Sequence, residues 1–278
     1  MNTRIISGLV GAIVLFIILF INSIAPIFFN ICLACVGVLC LYEIFSALGF
    51  KKERFLNSSS FLFMALSVIF YTKDVRWQFS CYNYTIIVSL ILLLNNKRLR
   101  FKHVIMLYSM TVFISFAFTT IIRLRNIGIL SAEKSSFLVF ISVATPWLTD
   151  IGAYFGGKFF GKKKLCPDIS PKKTVEGLFV GSATSVIGMI LSAIVFERFV
   201  FNAFFINYPF FISICFTGSL ISVLGDLFFS WFKRSCKIKD FGQVMPGHGG
   251  ILDRFDSVIF ASPFMYFTIK LFGKIIFY

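Results

Sequence analysis

The sequence predicts an all-α protein, a polytopic bundle of about nine membrane-spanning helices. Three observations carry that prediction. Of 278 residues, 58% are hydrophobic and only 14% are charged, with 39 Phe, more apolar surface than a soluble chain of this length can hide. The apolar residues fall in uncharged runs near or above the roughly 17–20 residues that cross a bilayer. The charges gather in short loops between those runs. A formal net charge of +15 would suit nucleic acid in a soluble protein, but basic loops that flank apolar spans face anionic lipid head groups. A lipid bilayer is therefore the expected partner, and nucleic acid is not.

Taken in order, the chain has Arg4 and then no charge until Glu43. Ile5–Ile21 is long enough to span, Asn22, Ser23 and Pro26 make a turn, and a second span runs to about Tyr42. No small-residue cleavage site precedes a hydrophilic domain, so this pair reads as a retained helical hairpin and not a signal peptide. Glu43 reads as an interfacial residue, with no catalytic role assigned. Further spans follow at Phe55–Thr72, Trp77–Asn96, Val104–Ile122, Ser135–Thr149, Gly177–Phe196, Phe199–Gly225 and Ser257–Ile269. The run at Ser135–Thr149 is short and must continue past Asp150. Residues 1–134 carry few polar groups inside their spans and read as a scaffold that could support a dimer contact. Residues 135–278 hold nearly all the polar features and read as the catalytic domain. The seven Cys sit mostly in apolar runs; Cys32 and Cys35 have redox-motif spacing, but their span offers no His or second pair, and they read as small buried hydrophobes.

The loop charges orient the bundle. Most of the 27 Lys and Arg fall in alternating loops: Arg4; Lys51, Lys52 and Arg54; Lys97, Arg98, Arg100 and Lys102; Lys158, Lys162–Lys164, Lys172 and Lys173; then Lys233, Arg234, Lys237, Lys239 and Arg254. The positive-inside rule makes that side cytoplasmic, the compartment that holds nucleotides. Arg123, Arg125 and Lys134 run against the alternation.

The chemistry concentrates between Ser230 and Asp256, SWFKRSCKIKDFGQVMPGHGGILDRFD. Charges at a bilayer edge are costly and mark function. Lys and Arg neutralise phosphate oxygens, paired Asp hold a divalent cation, and Gly247, Gly249 and Gly250 let backbone N–H groups approach a ligand. Asp150, Asp226 and Asp253 sit where an inert bundle would avoid acids. Asp226 and Ser230, four apart, share a helical face, as do Asp253 and Asp256, three apart. Each acid alone could simply pair with a nearby base; several beside two basic loops point to chemistry. The first basic loop, GKKKLCPDISPKKTVEG, ends in a helix start. Ser170 or Thr174 can cap it, Pro171 suits the first helical position if Ser170 is the cap, and Lys172 and Lys173 lie beside that terminus as a phosphate site. Gly152–Lys158 imitates a P-loop, yet Phe159 stands where a magnesium-binding hydroxyl belongs and no βαβ unit surrounds it. His248, one of two His, cannot build a His-rich zinc site alone; it can donate to a phosphate or shape its loop. His103 reads as a surface residue.

Ser230, Lys233, Arg234, Lys239, Asp240, Gly242, Pro246, Gly247, His248, Gly249, Gly250, Asp253, Arg254 and Asp256 resemble, without a missing element, the signature of the CDP-diacylglycerol synthases (phosphatidate cytidylyltransferases). TDIGAYFGGKFFGKKKL and ISPKKTVEG upstream look like the companion motifs of that family. The resemblance covers roughly residues 146–256. It implies that CTP and phosphatidic acid give CDP-diacylglycerol and pyrophosphate, with Mg2+ as cofactor and room for a second cation. It assigns Asp226 and Asp253 to metal and CTP phosphates, with Asp150 and Asp256 as further metal candidates. Lys173, Lys239 and His248 join Asp226 and Asp253 as catalytic candidates. Lys172, Ser230, Lys233, Arg234, Gly249, Gly250 and Arg254 are expected at the phosphates of CTP and phosphatidate. The expected setting is a bacterial inner membrane, multi-pass, with the site facing the cytoplasm and the chain a homodimer.

Two rivals remain open on the residues. A CTP-dependent kinase of a polyprenol- or phytol-type alcohol would share metal, basic loops and a membrane-borne acceptor, but would transfer the γ-phosphoryl and need a base for its alcohol. A cation-coupled transporter would spread polar residues at mid-depth through paired repeats, whereas here they collect at one face.

Overall fold

A computed structural model describes residues 25–50, 53–70, 74–95, 99–127, 132–200, 206–242 and 249–277. The expected span at Ile5–Ile21 lies outside them. Among the described residues there are eight helices: α1 (Pro26–Ala47), α2 (Arg54–Ile69), α3 (Asp74–Leu94), α4 (Phe101–Arg125), α5 (Ala132–Phe160), α6 (Val175–Val195), α7 (Tyr208–Ser235) and α8 (Leu252–Ile276). Seven are long and apolar enough to cross a membrane, and α2, with 16 residues, is shorter. The all-α membrane bundle holds.

Two local features depart from the sequence reading, and a third decides between alternatives that it left open. The span expected at Phe199–Gly225 is displaced: Phe196–Val200 form a π-helical turn, and α7 starts only at Tyr208. Glu197 drives this, because its carboxylate accepts the Ile206 N–H at 2.8 Å and the Tyr208 hydroxyl at 2.5 Å. Pro209 then occupies the first turn of α7, where its missing N–H costs nothing. At its other end α7 runs past Gly225 to Ser235, carrying Asp226, Ser230, Lys233 and Arg234 on one continuous helix. The second departure is a small antiparallel hairpin, β1 (Lys164–Cys166) and β2 (Ser170–Thr174), with Lys164 opposite Thr174 and Cys166 opposite Ser170. The third follows from it. With Ser170 and Pro171 in β2, the cap of α6 is Thr174, whose extended backbone lets its hydroxyl accept the Gly177 N–H at 3.1 Å.

The chain forms two compact units, Met1–Arg123 with Cys236–Arg254, and Leu124–Ser235 with Phe255–Tyr278. In the first, α1 and α2 pack with Phe45 stacked on Phe61 at 5.5 Å and the buried Met64 side chain lying against Gly37. Tyr84 of α3 stacks on Phe63 at 4.4 Å and hydrogen-bonds Ser60 at 2.8 Å, so its hydroxyl is satisfied away from water. Arg123 closes α4 on Asp74 at 2.5 Å with the Trp77 ring beneath it.

The second unit is built on the contact of α5 with α6. Their backbones meet at glycines, as small residues permit in membrane helices. A Cβ at Gly181 would lie 2.6 Å from the Thr149 carbonyl oxygen, and one at Gly177 would lie 2.8 Å from that of Ala153. Gly152 and Gly156 answer from α5 against Thr184 and Val180. Ser185 donates across the same seam to the Thr145 carbonyl at 3.1 Å.

This close seam predicts that Gly181→Val costs about 1–3 kcal/mol or more, the range for overpacking. Thermal unfolding of the detergent-solubilised protein should show a clear fall in Tm, whereas Ile187→Val, at a side chain 59% exposed, should leave Tm within a degree or two of the unmodified chain.

Candidate active site

The second unit carries a charged cluster that begins with the β1–β2 hairpin. Glu176, in the first turn of α6, accepts the Lys162 N–H at 3.0 Å and the Lys163 N–H at 3.2 Å. The Val175 N–H closes the hairpin base on the Lys163 carbonyl at 2.9 Å. These bonds fix the strand on which Lys172 and Lys173 alternate, as neighbours in a strand must. Lys172 is exposed. Lys173 turns inward, half-buried, and its ammonium makes an ion pair with the Asp226 carboxylate of α7. One turn further along α7, Ser230 donates to Asp226 Oδ1 at 3.2 Å, the face-sharing expected of residues four apart.

A second pair of acids stands close by. Ser257 of α8 touches both: its hydroxyl lies 2.9 Å from Asp150 Oδ2 and 3.2 Å from Asp256 Oδ1. A hydroxyl has one proton to give, and the shorter contact takes it; the Ser257 backbone N–H serves Asp256 at 2.7 Å. Asp256 is only 6% exposed. It is repelled by Asp226 and Asp150 and attracted by Lys233. The unit therefore gathers Asp150, Asp226 and Asp256 with Lys173, Lys233 and two hydroxyls, while Arg234 is exposed at the end of α7. Among the described residues no three of His, Cys, Asp and Glu lie close enough to hold a metal ion by themselves. That does not argue against magnesium, which binds through one or two carboxylates and completes its shell with phosphate oxygens and water.

The first unit holds the second motif. Asp253, in the first turn of α8, accepts the Phe241 N–H at 3.0 Å and the Gly250 N–H at 2.9 Å on Oδ2. Gly249 turns the chain at φ +86°, and a Cβ there would lie 3.1 Å from the same oxygen; a left-handed backbone and a close approach together require glycine. Gly250 is buried, and Lys239 and Arg254 are exposed. His248, with Pro246 and Gly247, lies outside the described residues. Sequence reasoning missed two participants here. Ser257 has no spacing that singles it out. Glu43 had a signal, as the one acid in the first fifty residues, and it is buried, 2% exposed.

A membrane bundle with a lysine-rich hairpin closed on an aspartate, flanked by carboxylates and hydroxyls, is the equipment of an enzyme that handles phosphates. The Cytidylyltransferase family matches this chain over residues 2–272. The chain is 32% identical to the phosphatidate cytidylyltransferase of Bacillus subtilis over 283 residues, 98% of this chain and 99% of that protein. It is 41% identical to the Rickettsia bellii protein of the same name over 133 residues, 48% of this chain and 58% of that one. It is 46% identical to the Staphylococcus aureus protein of that name over 119 residues, 43% and 44% of the two chains. The chain belongs to the cytidylyltransferase family and is a membrane-embedded enzyme.

Ser257→Ala would remove the hydroxyl that donates to Asp150 and lies against Asp256. The expected loss is about 1.5–3 kcal/mol, the range for a hydrogen bond to a charged group. It should appear as a lowered Tm, with Ser257→Thr, which keeps the hydroxyl, recovering most of it.

Proposed function

We propose that the chain transfers the cytidylyl group of CTP to phosphatidic acid, forming CDP-diacylglycerol and pyrophosphate for phospholipid synthesis. The observation that carries the proposal is the ion pair of Lys173 with Asp226, which sets a phosphate-seeking cation beside a metal-seeking carboxylate in a member of the cytidylyltransferase family. The names of the relatives supply the lipid substrate.

A phosphatidate oxygen attacks the α-phosphorus of CTP, a new P–O bond forms, and the bond to the β-phosphate oxygen breaks with its electron pair leaving on pyrophosphate. A phosphate monoester loses its second proton near pH 6, so phosphatidate arrives as a nucleophile without a strong base. The remaining barrier is repulsion between two polyanions and the charge gathered on pyrophosphate, which positioning and cations relieve. Lys173 and Lys172 on the hairpin, Lys233 and Arg234 on α7, and Lys239 and Arg254 are assigned to phosphate oxygens. Ser230 orients Asp226 with its one hydroxyl proton and is assigned to a phosphate oxygen when that proton turns away from the carboxylate. Gly249, Gly250 and His248 are assigned to the phosphates as well.

The donor set fits Mg2+, since it consists of carboxylate and hydroxyl oxygens, the hard ligands that ion takes. Asp226 and Asp253 are assigned to it, with Asp150 and Asp256 as further ligands and room for a second cation. When bound, the ion neutralises charge on the phosphate oxygens. The acyl chains of phosphatidate stay in the bilayer. The basic loops support a site at the cytoplasmic face of a bacterial inner membrane, and a second copy of the chain is the proposed partner in a homodimer.

CTP labelled at the α- or the γ-phosphorus tests this with phosphatidic acid and Mg2+. The α label is expected in the lipid phase and the γ label in soluble pyrophosphate; γ label in the lipid would make the protein a kinase, and no transfer by folded protein would end the proposal. Asp226→Asn is expected to lower kcat/KM by about 100-fold or more, the scale of losing one preorganised electrostatic contact. Chelation of divalent cations should abolish transfer, and added Mg2+ should restore it.

A further inference from the structure

Glu43 lies in α1, outside the motifs that carry the family resemblance, yet its carboxylate is spent on the second motif. One oxygen accepts the Ile251 N–H at 2.9 Å and the other the Leu252 N–H at 2.8 Å. Leu252 is the first residue of α8, so Glu43 caps that helix from more than 200 residues away, with its negative charge at the positive end of the helix dipole. Both neighbouring glycines make room for it: a Cβ at Gly242 or at Gly250 would collide with the Glu43 carboxylate. A charge buried in a membrane helix is expensive and needs such partners.

The same short turn carries Asp253, whose Oδ2 holds the Phe241 and Gly250 N–H groups. The Gly249–Asp253 turn is thus pinned from two sides, by Asp253 within the turn and by Glu43 from α1. Four consecutive residues, Gly250 to Asp253, either donate to one of these two carboxylates or supply one. Removing Glu43 leaves the contacts of Asp253 with Gly250 inside the turn and with Phe241 before it, neither of which reaches α1.

We propose that Glu43 is a positioning residue for the reaction: through the N–H groups of Ile251 and Leu252 it holds the Gly249–Asp253 turn, and with it Asp253, in the place that ion and nucleotide binding require. This rests on the reading of Asp253 as a ligand of the metal and CTP phosphates. The first helices of the chain then contribute directly to the catalytic geometry.

The test uses the full chain in detergent, with Glu43→Gln as the principal variant. Gln keeps the shape but has one accepting oxygen for two N–H groups. Two readouts are taken at a temperature where every variant is folded. Hydrogen exchange of a peptide covering residues 249–254 is expected to quicken by about tenfold, the factor that corresponds to about 1.4 kcal/mol, the scale of one lost hydrogen bond to a charged group. The half-saturating Mg2+ and CTP concentrations are expected to rise by about tenfold as well. Glu43→Asp, which keeps the charge on a shorter stem, should fall between Gln and the unmodified chain in both. Gly250→Ala displaces the same carboxylate and should shift both in the same direction, which keeps the test open if Glu43→Gln does not fold. Faster exchange with unchanged Mg2+ and CTP dependence overturns the proposal, because Glu43 would then serve stability alone. Unchanged exchange overturns it too, whatever the kinetics. If the unmodified chain transfers no label, the reaction itself fails while exchange still shows whether Glu43 holds the turn.

Discussion

A charge at the edge of a lipid bilayer must be neutralised or hydrogen-bonded, and the ion pair of Lys173 with Asp226 is where this protein meets that constraint. The surrounding fold serves the pair. Glu176 and Thr174 fasten the hairpin to the start of α6, which holds the strand that carries Lys173 in place. The glycines of the α5–α6 seam bring those helices close enough to fix the hairpin base. The extension of α7 past Gly225 delivers Asp226 and Ser230 on a rigid helix instead of a loop. A long cation on a braced strand and a carboxylate on a braced helix meet with little freedom left to lose. Preorganisation of that kind is what an enzyme for phosphate chemistry needs, because its transition state demands position and charge more than proton transfer.

Carboxylates in this protein act mostly on backbone and hydroxyl groups. Glu176 holds two N–H groups at the base of the hairpin, Asp253 those of Gly250 and Phe241, Glu43 two at the start of α8, and Glu197 one N–H and a tyrosine hydroxyl. Each such contact uses an acid to end or begin a helix where apolar side chains cannot. In a bundle of this hydrophobicity the few acids become the punctuation of the fold, and an acid that merely repelled its neighbours would be difficult to retain.

Much of this was legible in the sequence, because apolar run length decides membrane helices almost by itself. The i, i+4 spacing of Asp226 and Ser230 predicts their shared face, and the basic loops mark the hairpin region. The start of α7 was not legible: residues 199–225 form one apolar run, and only the tertiary bonds of Glu197 show that the helix begins later. The hairpin was not legible either, since its pairing runs through the backbone of a lysine-rich stretch with no β-branched alternation. Thr174 and Ser170 were equal candidates for the cap until β2 removed one. Glu43 was visible as a lone acid, but nothing local indicates partners at residues 251 and 252, and its role depends on long-range folding.

The central claim is that Lys173 and Asp226 act as one unit, and a double-mutant cycle on kcat/KM for CTP tests it most directly. Lys173→Met, Asp226→Asn and the double variant would be compared as folded, full-length protein. If the pair is the unit described, each single variant loses activity by about 100-fold or more, and the double variant is little worse than the weaker single one, as with groups that act together. Losses that multiply in the double variant would contradict the account and show two independent contributions.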